Sequence, residues 1–294
     1  MHEHLRLLGE VPPLRDPVLL AGITGWTDTS GAAVDALEYL VQQWQATPIA
    51  DIDPEPFYDF TVQRPRTRLV GDDRTIDWPR NRFYKASPEG ANRDFLLLTG
   101  IEPHLRWRTF SEVVTSLMDA LGVTTSITLG VQPGAVPHTR PLPVTLSASD
   151  SDFETQFGLK IPASRYEGPT GLISVLNLAF RARGWRNASL WAIAPHYLNT
   201  GPNPNAGISL VRMLDRGYGT STPLAGLEER SEEFARQVQE AMEQSDEAST
   251  YIQTLEEQFD ASAGQAIEDE GELPTSDELL GDLERFLRQQ REDH

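Results

Sequence analysis

The chain has no cysteine, which excludes disulfides, thiolate metal sites and cysteine nucleophiles together. No apolar run approaches the ~20 residues that a membrane-spanning helix needs. The first residues, Met1 to Arg6, lack a basic stretch leading into an apolar one, so no secretory signal is expected. These absences predict a soluble, cytoplasmic protein with no membrane partner. Lysine is scarce as well: only Lys85 and Lys160 among 25 cations. Arginine in its place fits bidentate anion recognition, and equally the codon bias of a GC-rich genome.

Catalytic signatures are missing too. There is no Gly-x-x-x-x-Gly-Lys-Ser/Thr loop, no Gly-x-Gly-x-x-Gly, no His-Glu-x-x-His and no Gly-x-Ser-x-Gly. A nucleotide-driven enzyme is therefore disfavoured, and no metal or cofactor is expected.

What is present is a globular composition: 294 residues, 39% hydrophobic and 23% charged, enough for one large domain or two ordinary ones. The net charge of −19 makes duplex nucleic acid a poor partner. The acidity is concentrated at one end. Residues 225–294 hold 21 acidic and 5 basic side chains, a net of −16, against −3 for residues 1–224. Aromatics, proline and glycine thin out at the same place, which puts a domain boundary near Pro223.

Before that boundary, short apolar runs alternate with helical periodicity. Val18–Ile23, Pro48–Ile52, Asp94–Gly100, Val123–Val131 and Ser189–Ala194 read as strands. Ala32–Trp44, a helix opened by a capping box at Thr109–Glu112, Leu172–Arg183 and Gly207–Leu214 read as helices. The alternation predicts an α/β fold, a mostly parallel sheet with helices on both faces. Residues 57–87 break the pattern with aromatic and β-branched pieces around Gly71-Asp72-Asp73, which reads as an antiparallel insertion. Arg64, Arg66, Arg68, Arg74, Arg80, Arg82, Arg93 and Lys85 lie in or beside it. They suit either an acidic partner or an edge ribbon kept from sticking to other sheets.

The acidic tail reads as helices with narrow apolar stripes: Leu227/Phe234/Val238, Tyr251/Leu255/Phe259 and Leu279/Leu283/Phe286. Those stripes are expected to dock with acidic faces outward, as a helical appendage suited to a basic protein partner or serving only solubility.

Two places are candidate sites. The first strand–helix turn, Gly22 to Gly31, carries Gly25, Thr29, Ser30 and Gly31 at a helix N-terminus, where backbone N–H groups could hold an anion. The same residues serve a turn and a helix cap equally well, and Asp28 would repel a phosphate. His104, His138 and His196 each follow a strand in a proline-rich loop, so the three fall on one rim of the sheet. They can line a binding site or brace rigid connectors, and no nucleophile or acid–base pair can be assigned among them.

The order of several short motifs resembles a known family. These are Gly22-Ile23-Thr24-Gly25-Trp26-Thr27-Asp28, Thr99-Gly100-Ile101-Glu102-Pro103 with Trp107 leading into a helix, and Leu129-Gly130-Val131-Gln132-Pro133. Tyr166-Glu167-Gly168-Pro169-Thr170-Gly171 and Ala194-Pro195-His196-Tyr197 complete the set. Over about residues 14–217 the chain resembles the bacterial branch of the proteasome-assembly-chaperone family, and its acidic tail resembles that of actinobacterial members.

The resemblance implies a three-layer α/β/α sandwich similar to nucleoside phosphorylases and peptidyl-tRNA hydrolase-like folds. It also implies a homo-oligomer, a trimer, and for bacterial members no established activity. Trp44, Trp78 and Trp107, aromatics outside the predicted strands, fit self-association. Some related sequences are labelled ATP-grasp ligases, but no nucleotide motif supports that here. Eukaryotic and archaeal relatives end in a hydrophobic–Tyr–x tripeptide that docks into the proteasome, whereas this chain ends Gln290-Arg291-Glu292-Asp293-His294. The resulting expectation is a non-catalytic, chaperone-like interaction protein. The alternative is a phosphorylase- or hydrolase-type enzyme using the first strand–helix turn.

Overall fold

The computed structural model describes residues 1–262, except residues 12, 199–200 and 243–245. The third tail stripe, Leu279 to Phe286, and the C-terminal pentapeptide lie outside the described residues.

Ten strands and seven helices are described. The strands are β1 (Leu5–Leu7), β2 (Val18–Thr24), β3 (Thr47–Ile52), β4 (Arg66–Val70), β5 (Asp73–Asp77), β6 (Asn81–Ala86), β7 (Phe95–Ile101), β8 (Thr125–Gly134), β9 (Val144–Ala148) and β10 (Arg186–Pro195). The helices are α1 (Ala32–Gln43), α2 (Trp107–Leu121), α3 (Asp152–Phe157), α4 (Leu172–Ala182), α5 (Pro204–Tyr218), α6 (Ala225–Met242) and α7 (Asp246–Ala261). None of them is long and apolar enough to cross a membrane, among the described residues.

Eight strands form one sheet in the order β1-β3-β6-β7-β2-β8-β10-β9. Its centre, β7-β2-β8-β10, is parallel, as strand–helix alternation predicts. Both flanks are antiparallel, because β6 turns back against β7, β3 and β1 extend that side, and β9 returns along β10. The sheet is therefore mixed.

Central strands buried on both faces must be apolar at every position, and β2 shows it. Val18 and Leu20 point into one core with α1 and α5, while Leu19, Ala21 and Ile23 point into another with α2 and α4. Fully burying each such side chain contributes about 1.5–3 kcal/mol. Helices thus cover both faces. Gly22 permits the close approach of α1, since a Cβ there would sit 3.0 Å from Leu37 Cδ1.

The structure corrects several sequence readings. The stretch 57–87 is not one insertion: residues 57–62 are turns, β4 and β5 form an isolated exposed ribbon, and β6 belongs to the main sheet. Residues Thr109 to Glu112 do not open α2, which begins at Trp107 after a left-handed Arg106 (φ 55°). The Trp107 indole N–H donates to Pro103 O at 2.5 Å and fixes that earlier start. Helix α5 begins at Pro204 rather than Gly207, with Asn203 accepting from Asn205 N–H. Trp44 packs on Phe95 and donates to Thr222 Oγ1, and Trp107 packs on the second core, so neither needs cover from another chain.

The first two tail stripes are packed. Leu227 is fully buried against the first core. Val238, Ala241, Ile252 and Leu255 close over Tyr197 and Leu198. Glu228, Glu229, Glu232, Glu233, Glu240 and Glu257 face solvent.

Candidate functional site

Because β2, β7, β8 and β10 are parallel, the loops after them line one rim of the sheet, the end where open α/β sheets usually bind ligands. In the first loop, Gly25 and Asp28 exchange backbone hydrogen bonds of 3.3 and 3.2 Å. Gly31 then takes a left-handed conformation (φ 77°) immediately before α1.

The N-terminus of α1 is served from within the chain. Asp28 is fully buried, and its Oδ2 accepts from the N–H groups of Ala33 (3.0 Å) and Val34 (3.1 Å). Ser30 Oγ accepts from Ala32 N–H at 3.4 Å, while Thr29 faces solvent. Burial pushes the Asp28 carboxyl up to about 6, against the opposing pull of those N–H donors. Its second oxygen, Oδ1, makes no hydrogen bond among the described residues. Gly25, Ser30 and Gly31 thus frame a turn whose first N–H groups already hold a carboxylate.

Glu102, directly after β7, entered the sequence reading only as part of a family motif, with no chemical role assigned. Its N–H donates to Thr24 O (2.7 Å), its Oε2 accepts from Trp26 N–H (3.0 Å), and its Oε1 accepts from Leu172 N–H (2.6 Å). One carboxylate thereby ties the β2–α1 loop to the start of α4. Gly25 (φ 155°) must be glycine here, since a Cβ would lie 2.5 Å from Glu102 Cβ. A carboxylate directly after a buried strand, with glycines at both places it reaches, was the available signal.

The three histidines do not converge. His104 is exposed: it donates its N–H to Phe57 O (2.9 Å) and its Nδ1 accepts from Asp59 N–H (3.2 Å). Its ring meets Tyr58 edge-on, so it braces the turns at 57–62.

His138 and His196 do come together, on either side of Tyr197. The His138 backbone N–H donates to the Tyr197 hydroxyl at 3.0 Å, and its Nδ1 lies 3.0 Å from the same oxygen. His196 Nδ1 is 3.1 Å from Gly134 O, which can only accept, so Nδ1 carries the proton. Its Nε2, 3.2 Å from the Tyr251 hydroxyl, then accepts. Burial holds His138 below the ordinary imidazole range and Tyr197 above the ordinary phenol range.

Helix α7 lies across this pair. Arg140 binds Asp260 (2.9 Å) and Glu256 (3.3 Å), and the Thr139 hydroxyl donates to Glu256. Two of the rim's histidines are thereby beneath the tail. No cluster of three or more His, Asp or Glu is placed to hold a metal, among the described residues.

Beside exposed polar residues such as Thr29, His104 and Arg106, the rim exposes the apolar side chains of Trp26 (62% exposed), Leu105, Tyr166 (70%) and, on the outer face of α4, Leu178.

The model of the PAC2 family matches residues 22–242. A Mycobacterium tuberculosis proteasome-assembly chaperone homologue of known structure is 38% identical, with 80% of this chain and 99% of that one covered and a TM-score of 0.71. A Streptomyces avermitilis PAC2 family protein is 36% identical over 81% and 100% of the two chains, with a TM-score of 0.73. An archaeal proteasome activator from Pyrococcus furiosus, 17% identical over 80% and 97%, shares the fold with a TM-score of 0.64. No curated protein matches the chain.

Proposed function

Since the chain belongs to the PAC2 family, we propose that it is a non-catalytic, chaperone-like cytoplasmic protein that works as a closed homo-oligomer, a trimer. The observation carrying this reading is helix α4. A helix with apolar residues on its outer side as well as its inner one calls for cover on both, and α4 holds only one charged residue, Arg181. Its inner side packs Leu172, Ile173, Leu176 and Phe180 into the core. Its outer side presents Leu178 and Ala182 to solvent, with Val175 and Ala179 half-buried. A second copy of the chain is the natural cover, and closed cyclic symmetry is the default for such contacts.

The rim supports the non-catalytic part. Asp28, Glu102, His138 and His196 are committed to holding loops and α7 in place. The acidic outer faces of α6 and α7 suit a basic segment of a partner protein, with charge attraction setting the on-rate.

Light scattering at micromolar concentration tests the assembly. We expect a mass near three times 32.7 kDa, reduced to one chain by Leu178→Glu. A wild-type species of a single chain's mass overturns the proposal.

A further inference from the structure

At the opposite end of the sheet from the rim, a cavity of about 220 Å³ opens beside the first residues of β8 and β10. Asn92, Arg93, Thr125, Gln156, Arg186 and Tyr218 line it, and no acidic side chain does. In a chain with 44 acidic residues and a net charge of −19, a polar cavity walled without a carboxylate stands apart.

The carboxylates nearby sit behind the arginines. Asp150 takes Nε and one terminal nitrogen of Arg186 (3.2 and 2.8 Å), and Asp152 takes the same terminal nitrogen at 3.3 Å. Asp16 holds one terminal nitrogen of Arg93 at 2.9 Å. Each guanidinium also lies over a ring, Arg186 on Phe153 (4.8 Å) and Arg93 on Tyr218 (5.6 Å). Both side chains are thus fixed in place, and the remaining terminal nitrogen of each makes no hydrogen bond among the described residues.

Tyr218 completes the set. Phe95 and Phe157 clamp its ring edge-on. Its hydroxyl oxygen is buried without a well-aligned hydrogen bond, the Gln156 side chain being its one polar neighbour, so a ligand or ion would satisfy the capacity left over.

We propose that this cavity is a binding site for an oxyanion of phosphate type, held by Arg93 and Arg186 with the Tyr218 hydroxyl, the Thr125 hydroxyl and the Asn92 and Gln156 amides as further donors. Arginine forks fixed by carboxylates from behind are the geometry that phosphate and carboxylate recognition favours. The site is independent of the oligomer and of the rim.

Calorimetric titration of the full-length protein with inorganic phosphate, and separately with ribose 5-phosphate, tests this in buffers matched for ionic strength with chloride. One site per chain is expected. Phosphate and ester binding alike mean that the phosphoryl group alone is recognised, whereas ester binding without phosphate means that it is the end of a larger molecule. Tyr218→Phe should weaken binding about tenfold, the scale of one hydrogen bond to a charged group. Arg186→Gln should abolish it, and Arg93→Gln serves the same purpose if Arg186→Gln fails to fold. Arg66→Gln, on the exposed ribbon, should change nothing. The proposal is overturned if neither probe binds above the chloride background. It is equally overturned if binding survives unchanged in Tyr218→Phe and in the folded arginine variant.

Discussion

Glu102 Oε1 accepts the first N–H of α4, that of Leu172, at 2.6 Å across 70 residues of sequence. The same carboxylate holds Trp26 N–H, so its loss releases two backbone donors at once. The Trp26 N–H lies near solvent and can turn to water, so Glu102→Ala should cost about 1 kcal/mol, the low end of the penalty for a donor left unsatisfied. Glu102→Gln keeps one acceptor and should fall between. Urea unfolding followed by tryptophan fluorescence measures both, and wild-type stability in the alanine variant would show that the stitch carries no weight.

Asp28 gives a pH signature of definite sign. Its carboxyl is raised from 3.8 to about 6 in the folded protein, so the native state binds the proton more readily than the unfolded chain. The associated stability is complete below about pH 4 and is lost as pH rises through about 6, by roughly 2–3 kcal/mol. Asp28→Asn keeps an acceptor for Ala33 and Val34 without the buried charge. Relative to that variant, the wild type should therefore lose stability between pH 4.5 and 7.5. Parallel pH profiles for the two proteins would refute the assignment.

His138 runs the opposite way. Burial lowers its pKa, so the unfolded or undocked state takes up the proton first. The stability it lends to the cover over the rim is present above the ordinary imidazole value of about 6.5 and is lost as pH falls below it. Glu256 opposes the shift from α7. Hydrogen exchange of residues 246–261 should accelerate between pH 7 and 5.5, corrected for the intrinsic rate, and His138→Asn should flatten that dependence.

Leu255 is 3% exposed between α7 and Tyr197. Leu255→Ala should cost about 2–4 kcal/mol of local docking. Exchange should rise across α7 while the strands β2 and β7 keep their protection. Equal loss of protection in both would mean that α7 belongs to the same cooperative unit as the sheet.

How much of this was legible depended on how local each cause is. Val18–Thr24 and Phe95–Ile101 are apolar at nearly every position because both faces are buried, and their sequences say so. Asn81–Ala86 alternates buried and half-buried residues like any ribbon strand, so nothing local distinguishes a place beside β7 from a place in the hairpin. The Thr109–Glu112 pattern matched a cap, but a proline carbonyl four residues before Trp107 decided the helix start.

The candidate turn shows the same limit. Gly25, Thr29, Ser30 and Gly31 were recognisable as a helix entry. The group that satisfies that entry is Asp28, which lies ahead of the left-handed Gly31 rather than at the N-cap position. The role of Glu102 could not be assigned from its own neighbourhood, because its partners, Trp26 and Leu172, are brought to it only by the fold. The cavity beside Arg186 is likewise a product of strand order, since Arg93, Gln156 and Tyr218 share no sequence neighbourhood.

The distance along the chain between Glu102 and its two partners also has a kinetic meaning. Contacts separated by 76 and 70 residues close large loops, whose entropy must be lost before the hydrogen bonds can reward it. We therefore expect them to form after β2, β7 and α4 have docked, beyond the barrier rather than before it. A variant that cuts this stitch should leave the refolding rate nearly unchanged and speed unfolding by the whole of its free-energy cost. Glu102 is in that sense a clasp: it sets how long the assembled rim lasts, and has no part in how quickly it forms.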